Sequence, residues 1–206
     1  MKNEKISRMV QLAILLAVVV VLQCFLGSIK IGATSFSVVL VPIVVGAIIL
    51  GPGAGAFLGF AFGLVVLILG ITGQDAFTNL LFQEHPVFTA VICLGKGAAA
   101  GWGAGMVYKL LSKASSLWAS VAAAAAAPIL NTGLFILGGL TLVRGTLEAN
   151  LAAFGADSVV VFLVIGCAGI NFMVEFLVNM ILSPGIYRIV TVVKAKFVHY
   201  FVYGLN

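Results

Sequence analysis

Charged residues are scarce in this sequence. The chain of 206 residues contains eleven Lys and Arg residues and six Asp and Glu residues, together 8% of its length, while 63% of its residues are hydrophobic. A soluble domain needs a polar surface, and this composition does not supply one. Most of the chain consists of apolar stretches near the length of about 20 residues that crosses a bilayer. We therefore predict one integral membrane domain over residues 1–206.

The motifs of common catalytic and metal sites are also missing. The sequence has no G-x-x-x-x-G-K-[ST] phosphate loop and no H-E-x-x-H zinc motif, which argues against ATP hydrolysis and zinc chemistry of those types. Cys24, Cys93 and Cys167 show no C-x-x-C spacing and are interpreted as small buried hydrophobic residues. We predict a protein that is not an enzyme and has no metal, cofactor or nucleic-acid partner.

Long apolar segments are present in their place. Helices satisfy the backbone groups of such segments within lipid, and the period-2 alternation of barrel strands is not seen. The predicted transmembrane helices cover about residues 9–28, 36–51, 54–72, 86–108, 116–141 and 158–183. The predicted fold class is thus an all-α bundle of six transmembrane helices.

The positive charges indicate how this bundle is oriented. With a cytoplasmic N-terminus, the outer flanks hold only Lys30 and Arg144. The inner flanks then hold Lys2, Lys5, Arg8, Lys109, Lys113, Arg188, Lys194 and Lys196. Because Lys and Arg accumulate in cytoplasmic loops, we predict that both termini are cytoplasmic. The two longer connections, about 73–85 and 142–157, would then cap the outer face.

Two charged residues lie inside the predicted helices, Lys96 in the fourth and Glu175 in the sixth. A charge in hydrocarbon costs a few kcal/mol or more, so it usually faces the bundle interior. Glu175 shares an i, i+4 stripe with Asn171 and Asn179, and Lys96 lies about 15 Å from the outer end of its helix. Two interpretations stay open. One is a buried Lys96–Glu175 ion pair, and the other is a pocket in which Lys96 meets an anionic or carbonyl group.

Other polar residues fall near the same depth or in the capping connections. Asn131 lies on the fifth predicted helix and offers both a donor and an acceptor. Gln74 and Asp75 lie in the first outer connection, and loops on a rigid scaffold often carry binding residues. The predicted binding residues are Lys96, Asn131, Asn171, Glu175, Gln74 and Asp75.

Small residues recur at every fourth position on three of the predicted helices. They are Ala13 and Ala17 on the first, Gly55, Gly59 and Gly63 on the third, and Gly97, Gly101 and Gly105 on the fourth. Such stripes let another backbone approach closely. The stripe on the fourth helix predicts packing within the chain, whereas the alanine pair is compatible with packing or with contact to a separate subunit.

These features resemble the substrate-binding S components of energy-coupling factor (ECF) vitamin transporters. The resemblance rests on chain size, six predicted helices, Ala13-xxx-Ala17 and the segments Phe36–Pro42 and Gly46–Gly59. It implies a subunit that binds a small water-soluble vitamin tightly from outside. Delivery to the cytoplasm would use a transmembrane coupling subunit (T component) and two ABC-type ATPase subunits. Ala13 and Ala17 would contact the coupling subunit, and the chain would reside in a prokaryotic plasma membrane.

The segments Gly73–Phe77, Pro86–Thr89 and Cys93–Lys96 look most like pantothenate or riboflavin members of that family. Pantothenate, a small carboxylate with hydroxyl groups and an amide, best matches one lysine and several amides. Riboflavin and folate stay as alternatives. So do an independent secondary carrier that uses Lys96 and Glu175 for ion coupling, and a structural membrane subunit.

Overall fold

The computed structural model describes residues 2–26, 30–31, 34–35, 38–153 and 155–203. Most of them are helical. The helices in chain order are α1 (Lys2–Leu26), α2 (Leu40–Leu50), α3 (Pro52–Ile71), α4 (Ala76–Glu84), α5 (Pro86–Leu111), α6 (Ser116–Thr141), α7 (Arg144–Asn150), α8 (Val159–Val161) and α9 (Ile170–Tyr203). A π-helical segment, Phe162–Gly169, joins α8 to α9. Two short paired strands, β1 (Lys30–Ile31) and β2 (Thr34–Ser35), lie between α1 and α2.

In the described part of the chain, five helical stretches are long and apolar enough to cross a membrane. They are Lys5–Phe25, Pro52–Ile71, Pro86–Leu111, Ser116–Thr141 and Val159–Val193. The predicted helical membrane fold is confirmed at this level. The apolar helix α2 has 11 residues and extends about 16 Å, roughly half of the hydrocarbon thickness. A sixth membrane-spanning helix therefore stays a prediction.

Helix α2 is the buried centre of the bundle. It packs against α1, α3, α5, α6 and α9, and Leu40 and Ile43 have no exposed surface. The helix begins at Leu40 and not near residue 36; residues 36–37 lie outside the described part. Gly51 ends it with φ +101°, a conformation that residues with a side chain rarely adopt. Pro52 then begins α3 in a first-turn position that needs no N–H donor.

The glycine stripes of α3 and α5 face each other. A Cβ atom on Gly59 would collide with the carbonyl of Gly97, and one on Gly55 with the carbonyl of Gly101. Only residues without side chains allow two backbones to approach so closely. The predicted packing within the chain is therefore confirmed for the helix-four stripe. This contact also fixes the register of α5, including Lys96, against α3.

The connection predicted over residues 73–85 contains a short helix, α4, and the one over 142–157 contains another, α7. Thr146 of α7 donates a hydrogen bond to Glu84 of α4 through its hydroxyl (2.7 Å). Phe77 and Leu147, one from each helix, belong to the same hydrophobic cluster. The two helices thus form a packed layer, the cap end of the bundle, at the C-terminal ends of α3 and α6.

The last helix differs from its predicted end at residue 183. The helix α9 continues through Pro184 to Tyr203. A proline inside a helix leaves the carbonyl four residues earlier without its N–H donor, and here that carbonyl belongs to Met180. The Ser183 hydroxyl donates to this Met180 carbonyl at 2.8 Å. The serine thereby compensates the proline, and the helix continues.

Two further helix bounds differ from the predictions. The helix α1 begins at Lys2 and not near residue 9, and α5 ends at Leu111 and not near residue 108. The predicted bounds followed the apolar segments alone. Because Lys, Arg, Glu and Leu are good helix formers, helices continue through the charged residues at one end of each segment.

Candidate functional site

A polar cavity lies inside the bundle next to the cap end. Its volume is about 80 Å³, enough for roughly six water molecules. Its walls come from α1, α3, α4, α5, α6, the π-helical segment and α9. The charged and amide side chains in its lining are Gln23, Asp75, Lys96, Asn131, Asn171 and Glu175. A few convergent polar groups in an otherwise apolar bundle are typical of a small-molecule site.

The structure brings five of the six predicted binding residues together in this cavity. The sixth, Gln74, is exposed in the turn before α4, and its Nε2 donates to Thr72 Oγ1 at 3.4 Å. Asp75 differs from its neighbour because it caps α4. Its Oδ1 accepts a hydrogen bond from the Thr78 N–H at 2.7 Å, which holds the carboxylate at the start of the helix and against the cavity.

Lys96 lies between two aromatic rings. Its Nζ is 5.7 Å from the ring centroid of Phe62 on α3 and 5.4 Å from that of Phe135 on α6. Each such contact contributes about 1 kcal/mol when the cation is partly exposed. The structure shows an ion pair between Arg144 and Glu148 (2.7 Å) but none between Lys96 and Glu175. The direct Lys96–Glu175 ion pair, one of the two interpretations of the sequence, is therefore not formed.

Glu175 is the most deeply buried charge of the site, with 1% of its surface exposed. Its Oε1 accepts a long hydrogen bond from Asn171 Nδ2 (3.5 Å), and the Asn131 amide lies beside the same carboxylate. One turn further along α9, the Nδ2 of Asn179 donates to the Glu175 backbone carbonyl (2.8 Å). Asn131, Asn171 and Glu175 thus form one group, which we call the cavity floor.

The cavity floor contains hydrogen-bond acceptors without donors. Asn131 Oδ1, Asn171 Oδ1 and Glu175 Oε2 are buried and accept no hydrogen bond from the residues that the structure describes. A buried acceptor left without a donor costs about 1–3 kcal/mol, and more when it is charged. Buried polar groups in folded proteins are nearly always paired. The floor can therefore accept hydrogen bonds from a molecule in the cavity.

Sequence reasoning did not find every residue that lines the cavity. Gln23 of α1 is 3% exposed and contributes a further amide to the cavity lining. The sequence feature that could have identified Gln23 is an amide inside an otherwise apolar segment. Phe62, Phe77 and Phe135 form aromatic walls. Nothing in their spacing distinguishes them from the many other apolar residues of the core.

The predicted interface residues Ala13 and Ala17 lie on the outside of the bundle. Both are exposed, and they share their face of α1 with exposed Val10, Ile14 and Val18. The opposite face of α1 is buried through residues such as Val19. The alanine pair therefore does not pack within the chain and leaves a shallow strip open to lipid or to another helix.

These features define a multi-pass membrane protein with a polar cavity near one end of its bundle. The chain belongs to the family of ECF transporter substrate-specific components, whose sequence model matches residues 7–187. The resemblance seen in the sequence is thus confirmed at the level of the family. Members of this family are transporter subunits, not enzymes, and they generally work with a T component and ATPases. None of the curated proteins matches the chain.

Proposed function

We propose that this chain binds a small water-soluble vitamin with high affinity as the substrate-specific subunit of an ATP-driven ECF importer. The vitamin enters from outside and is delivered to the cytoplasm with a T component and two ATPase subunits, in a prokaryotic plasma membrane. One observation carries the proposal. Five charged or amide side chains from α4, α5, α6 and α9 converge on one cavity in an apolar bundle.

Pantothenate is the substrate that fits this cavity best. Its carboxylate suits the Lys96 ammonium, and its hydroxyl and amide groups suit the floor. Riboflavin and folate are larger and would require the cavity to open further than pantothenate does. A cation such as thiamine would meet the Lys96 ammonium between the rings of Phe62 and Phe135, where a ligand cation would otherwise bind. The two tryptophans, Trp102 and Trp118, are instead 52% and 69% exposed and do not line the cavity.

The positions of basic residues support an orientation with the cap end outside. Arg8, Lys109, Lys113 and Arg188 lie toward the end of the bundle opposite α4 and α7. Arg8 there donates from Nη2 to the last carbonyl of α2, that of Leu50, at 3.0 Å. Lysine and arginine favour the cytoplasmic side of the membrane. With this orientation the cavity receives its ligand from outside and both termini are cytoplasmic.

The test is to identify the ligand of the purified chain. The chain is purified from an expression host grown in rich medium, denatured, and the released small molecules are identified by mass spectrometry. A stoichiometric vitamin supports the proposal, and a chain without any bound or bindable small molecule contradicts it. Transport by the chain alone in liposomes, driven by an ion gradient, would instead favour an independent carrier.

A further inference from the structure

The cavity lining offers different chemistry on the side of Lys96 and on the side of the cavity floor. Lys96 supplies a positive charge and N–H donors from α5, between the rings of Phe62 and Phe135. The cavity floor supplies the three acceptor oxygens Asn131 Oδ1, Asn171 Oδ1 and Glu175 Oε2. Since Lys96 and Glu175 form no ion pair, the two sides do not neutralise each other by direct contact. A ligand that fills the space between them meets a donor on one side and acceptors on the other.

The unpaired oxygens limit which ligands can bind. An 80 Å³ cavity holds several water molecules when no ligand is present, and these can donate to the floor. A ligand displaces such water without loss only when it reproduces the hydrogen bonds of that water. A site built around buried acceptors therefore rejects analogues that lack the matching donors.

We infer that the cavity binds its ligand in one fixed orientation. A carboxylate or carbonyl of the ligand contacts Lys96, and at least two hydroxyl or N–H groups of the ligand donate to Asn131, Asn171 and Glu175. The ligand class is therefore a small acid or amide that carries its donors away from its acceptor end. Dicarboxylates, fatty acids and quaternary amines lack this arrangement. The inference rests on the proposed function and adds to it the polarity of the ligand, that is, which end lies at Lys96 and which at the cavity floor.

The test crosses three probes with two kinds of variant. The probes are pantothenate, pantothenol, in which an alcohol replaces the carboxylate, and a pantothenate analogue in which hydrogen replaces both hydroxyl groups. The variants are Lys96→Met on one side and Asn171→Leu on the other. Affinities are measured by titration calorimetry on the purified full chain in nanodiscs.

Each variant should weaken only the probes that carry the group it contacts. Lys96→Met should weaken pantothenate binding at least about tenfold, as expected for a lost charge-assisted contact, but change pantothenol binding less than about twofold. Asn171→Leu should weaken pantothenate and pantothenol to a similar extent but leave the analogue without hydroxyl groups unchanged. Losses that are the same for all probes, or a reversed pattern, overturn the inference while vitamin binding itself stands.

A control and a second floor variant separate binding from folding. Asn179→Leu changes a buried amide on the same helix that does not line the cavity, and it should leave all three affinities unchanged. Asn131→Leu tests the floor from α6 if Asn171→Leu does not give a folded, monodisperse protein. The inference is overturned if probe affinity depends on sodium and this dependence is lost in Asn131→Leu or Asn171→Leu, while probes with and without hydroxyl groups bind alike. The oxygens would then be assigned to a bound cation.

The remaining outcomes also decide between the two proposals. If the wild-type chain binds none of the probes, the compound released for mass spectrometry provides the answer. A released compound with an acceptor end and separate donors supports the inferred polarity. A released cation, or a compound without donors, overturns the polarity but not vitamin uptake. A chain that releases and binds nothing overturns both.

Discussion

An ammonium group inside an apolar bundle usually pairs with a carboxylate, but Lys96 does not. Its Nζ lies over the rings of Phe62 and Phe135, while Glu175 sits deeper on α9 and interacts with it only across the cavity. Aromatic faces stabilise a cation without supplying hydrogen-bond acceptors. The three N–H donors of Lys96 are therefore held in place and remain available to an acceptor in the cavity.

Replacing Lys96 by alanine should lower ligand affinity more than tenfold, because a buried ligand charge or carbonyl loses its partner. Titration of the purified chain with its ligand measures the effect. Lys109→Ala, an exposed lysine near the end of the same helix, is the matched control and should bind normally. If Lys96→Ala keeps the affinity but unfolds at a lower temperature, Lys96 has a structural role only.

Ser183 offers a second test of an individual side chain, since its hydroxyl replaces the donor that Pro184 lacks at the Met180 carbonyl. Ser183→Ala should destabilise the fold by about 1 kcal/mol, because that part-buried carbonyl loses its partner. Thr191→Ala is the control, because the Thr191 hydroxyl donates to the Tyr187 carbonyl at an exposed position with no following proline. Thermal unfolding in detergent compares the two, and equal midpoints would contradict the compensation.

The packing of α3 against α5 determines where Lys96 and Phe62 lie in the cavity. The carbonyls of Gly59 and Gly97 occupy the space that a side chain on the facing residue would need. Lys96 directly precedes Gly97, and Phe62 lies one turn after Gly59. A wider separation between the helices would therefore also move the ammonium away from its ring. Helix packing and ligand binding should change together at this contact.

Gly97→Ala should accordingly reduce both stability and ligand affinity, because its new methyl group collides with the backbone of Gly59. Overpacking of this kind costs about 1–3 kcal/mol. Gly95→Ala, two positions earlier on α5, is the control, since no atom lies within 4 Å of its added Cβ and alanine favours a helix. Unfolding temperature and ligand titration on both variants provide the comparison. Equal behaviour of the two would contradict the close contact.

The elements that hydropathy predicts well are those that consist of long apolar segments. The helical class of the described chain followed from its long apolar segments. The position of Lys96 inside α5 also followed from the sequence, because a charge stands out in an apolar segment. The short helices α4 and α7 did not, since each is shorter than a membrane span and stabilised by contact with the other. The continuation of α9 past Pro184 was not predicted either, because the Ser183–Met180 hydrogen bond beside the proline depends on a side-chain conformation that the sequence does not show.

The site was predictable to a similar degree and for similar reasons. Amides and charges inside apolar helices indicate an interior polar site, which identified Asn131, Asn171 and Glu175 as candidates. Which of them touch was not predictable, because that depends on helix rotation and tilt. The sequence left open an ion pair between Lys96 and Glu175, whereas the structure places the lysine between rings contributed by α3 and α6.

The ligand cavity and the exposed face of α1 occupy different surfaces of the protein. The cavity adjoins the cap layer formed by α4 and α7, and one face of α1 contributes Gln23 to its wall. Ala13 and Ala17 lie on the exposed face of the same helix. A subunit that packs on this face would therefore contact the helix that also lines the polar cavity. Docking and ligand binding should nevertheless be separable by substitution.

Ala13→Trp and Ala17→Trp should abolish copurification with a T component and ATPases but keep ligand affinity within about twofold. A large ring fills the shallow strip through which another helix would approach, while the cavity side of α1 is unchanged. Ile181→Trp on α9, where the side chain is 73% exposed, is the control and should leave the complex intact. Pull-down of the tagged chain coexpressed with the three partner subunits measures assembly, and calorimetry measures binding.

Intact complexes with both alanine variants would show that the partner docks elsewhere. Loss of ligand binding as well would show that the two surfaces are coupled through α1.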